Sequence, residues 1–193
     1  MRFIYLLSCI GLGLIILLPT VLAVISIPSS EEFSELWLLG SNHMIGSGVL
    51  NISRNKPETV YLGVGNHMGE SKYYVVYAKF RNQLELLPDV LSGLPSPLEP
   101  VFEYRVLLRN NETLEKTIGF SFEDVSFEPD SIRISKLIIN GQTVIVDKIV
   151  PWDVENNGFY CQLFFELWIY DVGSSSFQFH NRSVWFWFNV VND

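Results

Sequence analysis

The sequence predicts an all-β fold, an immunoglobulin-like antiparallel β-sandwich preceded by one N-terminal transmembrane helix. Residues 3–27 are uncharged and largely apolar, and the rest of the chain consists of short alternating apolar runs separated by turn residues. We place a transmembrane anchor or signal peptide at 1–27, a linker at 28–34 and the sandwich at 35–193, with a hairpin insertion near 131–150.

The N-terminal apolar segment predicts contact with a membrane. As a helix it would be roughly 37 Å long, enough to cross a hydrocarbon core of about 30 Å. Arg2 precedes the segment and three glutamates follow it within residues 31–35, so the charge bias places the C-terminal domain outside the cytoplasm. The alternative is a cleaved signal peptide, because Pro19 precedes the pattern Val21-Leu22-Ala23. The anchor reading predicts a single-pass protein of the cell membrane.

The strand-forming segments follow in order along the chain. Segments 35–39 and 49–53 are short, whereas 59–64 and 72–81 are rich in β-branched and aromatic residues. In segment 72–81 one face is predicted to point to the core: Tyr74, Val76, Ala78 and Phe80. Segment 87–100 holds four prolines and one glycine, so we expect a loop or an edge there.

A hairpin is the sharpest local prediction. Asn140-Gly141 separates two β-branched runs, and this dipeptide favours a type I′ turn because both residues adopt positive φ readily. The two-residue loop pairs Leu137 with Val144 and places Ile139 on the same face. The hairpin follows two earlier strands, predicted at 102–108 and 114–122.

The last two strands, 159–170 and 184–191, supply both the core and a candidate binding face. Alternate residues of each are predicted to point inward: Cys161, Leu163, Phe165, Leu167, Ile169, Val184, Phe186, Phe188 and Val190. If the strands are neighbours, five aromatic residues share the opposite face: Tyr160, Phe164, Trp168, Trp185 and Trp187. A bare patch of this size indicates a partner, a glycan or a membrane surface. The alternative is that the hairpin or the 87–100 loop covers it as a second small core.

Composition limits the function classes. The formal net charge of −8 argues against a nucleic-acid partner, which needs a basic surface. The two cysteines, Cys9 in the apolar segment and Cys161 in a strand, are not placed to pair, so no disulfide is expected. The chain left after the leader fits one domain.

No catalytic, metal or cofactor signature is found in the sequence. The histidines, His43, His67 and His180, each adjoin an asparagine and lack the spacing of metal ligands. Nucleophile elbows, phosphate-binding loops and dinucleotide fingerprints are also missing, so we predict a non-enzymatic protein without cofactors. Three sequons make Asn51, Asn111 and Asn181 glycosylation candidates on an exported domain.

Three segments carry a resemblance to a known family. They are FSELWLLG at 33–40, TVYLGVGNHMGESKYYVVYAKF at 59–80 and HNRSVWFWFNV at 180–190. They resemble an archaeal family of membrane proteins of unknown function, whose members carry an extracytoplasmic immunoglobulin-like domain after transmembrane helices. The chain differs in having one hydrophobic segment and in Met68, where an acidic residue is common in the family. The resemblance implies the fold and the location.

These observations favour a membrane-anchored extracytoplasmic module that binds a protein or glycan partner at the cell envelope. The alternatives are an accessory subunit of a membrane or envelope complex and, with less support, a surface hydrolase. A hydrolase would need a catalytic set, and no pair of carboxylates is singled out by the sequence.

Overall fold

The computed structural model describes residues 3–5, 11–13, 15–18, 31–44 and 49–192. The chain divides into two compact units, Met1–Glu32 and Phe33–Asp193. In the first unit the described residues at 3–5, 11–13 and 15–18 are helical.

The predicted transmembrane helix is wrong. None of the helices among the described residues is long and apolar enough to cross a membrane. Residues 28–30 of the predicted linker and the cleavage pattern at 21–23 lie outside the described residues, and the last two linker positions, 33–34, belong to the first strand instead.

The second unit is mostly β, as predicted. Its ten described strands are β1 (Phe33–Leu39), β2 (Val49–Ser53), β3 (Glu58–His67), β4 (Lys72–Asn82), β5 (Phe102–Leu108), β6 (Glu112–Phe127), β7 (Ser131–Ile139), β8 (Gln142–Asp153), β9 (Gly158–Asp171) and β10 (Ser176–Val191). They form one hydrogen-bonded sheet in the order β1-β3-β6-β7-β8-β9-β10-β2, and β4 joins β9 to β5. The predicted separate sheets are therefore one curled sheet.

The sheet has two halves that face each other across the core. The first layer is β1-β3-β6-β7-β8, and the second layer is β5-β4-β9-β10-β2. The layers are joined where Trp152 and Asp153 of β8 pair with Phe159 and Gly158 of β9. All described pairings are antiparallel except that of β2 with β10, which is parallel and corrects the fully antiparallel prediction.

Aromatic rings fill the space between the layers. Phe120 of β6 lies 5.1 Å from Phe188 of β10 between ring centroids, and Phe122 lies 5.5 Å from Phe80 of β4. The four residues of β4 predicted to point inward are all buried, as are the predicted inward residues of β9 from Cys161 to Leu167. Burial of this apolar surface is the main favourable contribution to folding.

The predicted hairpin is confirmed. Asn140 and Gly141 have φ angles of 49° and 79°, as the predicted turn requires. Leu137 pairs with Val144, and both Leu137 and Ile139 are buried. Asn140 fastens the turn to its neighbours, since its Oδ1 accepts from the backbone N of Gly119 and its Nδ2 donates to Tyr104. Strands β7 and β8 are integral members of the first layer.

Candidate functional site

The five predicted aromatic residues lie on the outer face of the second layer but do not form one exposed patch. The pairing of Trp185 with Phe164 confirms that β9 and β10 are neighbours. Phe164 is completely buried, however, whereas 47% of Trp185 is exposed. Tyr160, Trp168 and Trp187 are half-buried. The prediction of a continuous bare face is wrong at Phe164. The alternative prediction, that another segment of the chain covers this face, holds at this residue.

The cover is the proline-rich loop between β4 and β5. Its Ser96 donates from the backbone N to Oε1 of Glu166, at 2.8 Å, in the middle of β9. Lys79 of β4 donates to the backbone oxygen of Ser96 at 2.7 Å. Because Phe164 and Glu166 point to the same side of β9, the loop crosses the outer face at these positions.

The ion pair beneath the loop explains why charged residues stand in the middle of two central strands. Lys79 Nζ lies 2.9 Å from Glu166 Oε2, and both side chains are almost completely buried. Trp168 Nε1 donates to the same carboxylate oxygen at 3.1 Å. A buried pair of this kind is held in place by its additional hydrogen bonds, since isolated charges are costly to remove from water.

Beyond the loop, the outer face carries a cluster of half-buried rings that we call the aromatic platform. Its members come from β4, β9 and β10: Tyr73, Tyr77, Trp168, Tyr170, Phe177 and Phe179. The rings of Tyr73, Tyr170 and Phe177 touch in pairs, with centroids 5.2 to 6.3 Å apart. Trp168 joins Tyr77 to Phe179 at 5.4 and 5.9 Å. These distances are those of favourable aromatic pairs.

A cation borders the aromatic platform. The guanidinium carbon of Arg105 on β5 lies 5.3 Å from the centroid of Phe177. Glu103 holds the guanidinium by accepting from its Nε at 2.8 Å and from Nη2 at 3.3 Å. Tyrosine, tryptophan and arginine are the residue types most enriched at protein–protein binding sites.

Of the six platform rings, one, Trp168, belongs to the aromatic face predicted from the sequence. The alternation of β4 that points Tyr74 inward also points Tyr73 and Tyr77 outward, so the signal for these two was present. Their position beside Trp168 could not be predicted, because it depends on the pairing of β4 with β9, which brings Tyr77 opposite Glu166. Phe177 and Phe179 lie at the start of β10, which begins earlier in the structure than predicted.

A second candidate region is a cleft at the opposite end of the outer face. Its volume is about 280 Å³, and its lining is aromatic and polar: Val49, Gln83, Asp153, Asn156, Tyr160 and Trp187. Two of the five predicted aromatics, Tyr160 and Trp187, therefore belong to this cleft. Along β9 the buried Phe164 and Glu166 separate Tyr160 from Trp168, so the cleft and the platform are distinct.

The histidines have structural partners. His180 Nε2 lies 3.0 Å from Ser34 Oγ, which lies 2.7 Å from the hydroxyl of Tyr74, and Tyr74 donates to Asn66 Oδ1 at 3.0 Å. Since Tyr74 donates its proton to Asn66, Ser34 donates to Tyr74 and the imidazole donates to Ser34. Ser34 is buried within this network, where it links the imidazole of His180 to the hydroxyl of Tyr74.

Burial and nearby charges shift the pKa of two members of this network. Burial holds the pKa of His180 below its ordinary value, and the charges of Arg182 and Lys72 act in the same direction. Burial raises the pKa of Tyr74, partly opposed by its hydrogen bond to Ser34. The network ties β1 to β4 and β10, and Arg182 Nε adds a bond to the backbone oxygen of Ser34.

His43 and His67 lie on the outer face of the first layer. His43 Nδ1 is 3.6 Å from Glu115 Oε1, and His67 Nε2 is 3.5 Å from Glu35 Oε2. In the described parts of the chain, these groups do not come together with further ligands into a cluster of three that could hold a metal ion.

The three glycosylation candidates are all exposed. Asn111 lies in the turn before β6, whereas Asn181 lies within β10 at the irregularity between Phe179 and Arg182 rather than in the turn expected from the sequence. Asn51 lies in β2, and its Oδ1 accepts from Asn189 at 3.2 Å.

Comparison with known proteins places the chain in no established group. The sequence matches no described protein family and no curated protein. Its structure is similar to part of a β-glucosidase from Listeria innocua in complex with glucose, with 11% identity, a TM-score of 0.42, and coverage of 83% of this chain and 16% of that chain. The chain thus spans about a sixth of the β-glucosidase.

A smaller protein shows a fainter likeness. The PapD-like domain 7 of human CEP192 has 7% identity and a TM-score of 0.31, with coverage of 87% of this chain and 89% of that chain. At these TM-scores, neither likeness carries an argument about function.

Proposed function

We propose that this protein is a non-enzymatic interaction module and that the aromatic platform is its docking surface for a partner protein of the cell envelope. The observation that supports this is a pair of three-ring groups, Tyr73-Tyr170-Phe177 and Tyr77-Trp168-Phe179, half-buried on the outer face of β4, β9 and β10. Large apolar patches of this kind on a sheet surface usually serve as binding sites.

The composition of the platform favours a protein partner. Rigid tyrosine and tryptophan rings provide a large contact area with little loss of side-chain entropy on binding. Arg105 stacks on Phe177 and is held by Glu103, so a charge-bearing rim is already in position. Such a centre of rings with a polar rim is the usual anatomy of a protein interface.

The extracytoplasmic location is part of the same proposal. It is supported by the exposure of Asn51, Asn111 and Asn181, whose sequons suit an exported domain. Protease added to intact cells should remove an epitope placed at the C-terminus. Survival of the epitope until the cells are lysed would contradict an external location.

Site-specific cross-linking tests the docking surface. A photo-activated amino acid at Phe177 should give one discrete adduct in cells that produce the full-length chain. The same group at Ile145, which is 79% exposed on β8 of the first layer, is the matched control and should not give that adduct. No adduct at Phe177, or the same adducts at both positions, would overturn the proposal.

A further inference from the structure

The cleft beside the turn between β8 and β9 has the chemistry of a small polar ligand site. Two rings, Tyr160 and Trp187, line it together with two amides and one carboxylate. Its volume of about 280 Å³ lies near the lower end of the range of about 300–1,000 Å³ that is typical of ligand pockets. A cleft of this size suits one small ring with its substituents.

The turn holds the polar lining in place. Asp153 Oδ1 accepts from the backbone N of Glu155 and of Asn156, each at 3.0 Å, and Asp153 Oδ2 accepts from Asn156 Nδ2 at 2.9 Å. Tyr160 donates its hydroxyl proton to the backbone oxygen of Asn156 at 2.9 Å. The tyrosine oxygen and the carboxylate keep lone pairs that can accept from a ligand.

Gln83 forms one wall of the same cleft. Gln83 donates from Nε2 to the backbone oxygen of Pro151 at 2.8 Å, which fixes the orientation of its amide. Its Oε1 is buried and has no hydrogen-bond partner within the described chain. An atom enclosed in this way cannot be reached by a ligand in the cleft, so Gln83 forms part of the wall and does not accept from the ligand.

The ring of Trp187 is pre-positioned. The guanidinium carbon of Arg81 lies 5.4 Å from the Trp187 ring centroid. Arg81 is itself fixed, because Nε donates to the backbone oxygen of Asn82 at 2.8 Å and Nη2 donates to that of Gln83 at 2.9 Å. A ring held in this way loses little conformational entropy when a ligand packs on it.

The polar groups define which ligand fits. Asp153 and Tyr160 offer acceptors, so the cleft suits a ligand that donates several hydrogen bonds and presents an apolar face to Trp187. The only charged residue lining the cleft in the described structure is Asp153. Its pKa is lowered by hydrogen bonds from the side chain and backbone of Asn156 and from the backbone of Glu155, so it stays ionised at neutral pH. An ionised carboxylate disfavours acidic ligands and phosphates.

We propose that this cleft binds one ring of a neutral saccharide, with its hydroxyl groups donating to Asp153 and Tyr160 and its apolar face packed on Trp187. The site is separate from the aromatic platform and does not depend on the docking function proposed for it. The ligand class is a neutral hexose or N-acetylhexosamine, on a glycan of the cell envelope.

The test is binding of the full-length chain to immobilised oligosaccharides. The neutral probes are oligomers of glucose, mannose, galactose and N-acetylglucosamine, and the acidic probes are oligomers of galacturonic and glucuronic acid. We expect retention on at least one neutral probe and at least tenfold weaker retention on the acidic ones. The Trp187→Ala variant should lose binding at least tenfold, and Asn156→Ala, an exposed turn substitution, should lose it severalfold.

Trp185→Ala is the matched control, because Trp185 lies on the same face two residues before Trp187 and does not line the cleft. It should bind within twofold of the wild type, as should the platform variant Phe177→Ser. Failure of the wild type to bind any neutral probe, equal or tighter binding of acidic probes, or an equal loss in Trp185→Ala would each overturn the proposal. A negative cross-linking result at Phe177 would leave it unaffected.

Discussion

The ammonium group of Lys79 lies 2.9 Å from Glu166 Oε2 in a site that is almost closed to solvent. Ser96 completes the arrangement, since its backbone oxygen accepts from Lys79 and its backbone N donates to Glu166. The loop between β4 and β5 is thereby fastened to the middle of the outer face. This contact separates the aromatic platform from the cleft and covers Phe164.

Removing one charge of the Lys79–Glu166 pair should strongly destabilise the folded protein. We expect Glu166→Gln to lower the free energy of unfolding by about 3–5 kcal/mol, because Lys79 is left as an uncompensated buried charge. Urea denaturation measures the change, and limited proteolysis of the loop around Ser96 measures its release. The control is Asp147→Asn, which breaks the exposed pair with Arg133 and should cost no more than about 1 kcal/mol. Equal effects of the two substitutions would contradict the burial of Glu166.

Phe164 and Trp185 pair directly across β9 and β10 but should respond very differently to truncation. Phe164→Ala should cost about 3–5 kcal/mol, because it leaves a cavity under the loop. Trp185→Ala should cost no more than about 1 kcal/mol, since the ring is half in solvent. Thermal and chemical unfolding of the two variants provide the comparison, and similar costs would show that the loop does not cover Phe164.

Gly63 is required by the ring of Trp37, which lies opposite it in the pairing of β1 with β3. A Cβ at this position would stand 1.7 Å from Trp37 Cε2, so the indole would have to move. Gly63→Ala should therefore cost about 1–3 kcal/mol and change the tryptophan fluorescence. Gly119→Ala on β6 is the control, because its Cβ would meet nothing within 4 Å, and it should be neutral or slightly stabilising. A neutral Gly63→Ala would contradict the close packing of Trp37.

His180 should make the stability depend on pH in the mildly acidic range. Its pKa in the folded state lies below the ordinary value of 6.5 because the imidazole is buried near Arg182 and Lys72. The unfolded chain therefore takes up the proton first as the pH falls, so the contribution of His180 is complete above about pH 6.5 and is lost as the pH falls through the folded-state pKa. Urea midpoints from pH 7.5 to 5 should decline less in His180→Gln than in the wild type. Parallel declines would assign the pH dependence to other groups.

Local patterns allowed much of the fold to be predicted. The two-residue period of β4 and β9 identified their buried faces from Tyr74 to Phe80 and from Cys161 to Leu167, because one face of each strand is apolar throughout. The Asn140-Gly141 dipeptide set the register of Leu137 with Val144, because the turn type constrains both flanking strands.

Non-local contacts account for what the sequence did not reveal. The alternation of β9 cannot show that Ser96, seventy positions earlier, caps Glu166, or that β4 brings Tyr77 beside Trp168. The parallel pairing of β2 with β10 likewise depends on the path of the whole chain. The length of the apolar segment and its flanking charges predicted a membrane-spanning helix, but none of the helices among the described residues is long and apolar enough to cross a membrane.

Hydroxyl-radical footprinting tests the platform most directly when the full-length chain is compared in purified form and in the cells that produce it. Purified chain should be oxidised at Tyr73, Phe177 and Phe179, and these rings should become protected in cells. Trp152, 39% exposed near the end of β8, is the internal reference and should be oxidised equally in both preparations. Platform rings that remain as reactive in cells as in the purified chain would contradict a docking surface.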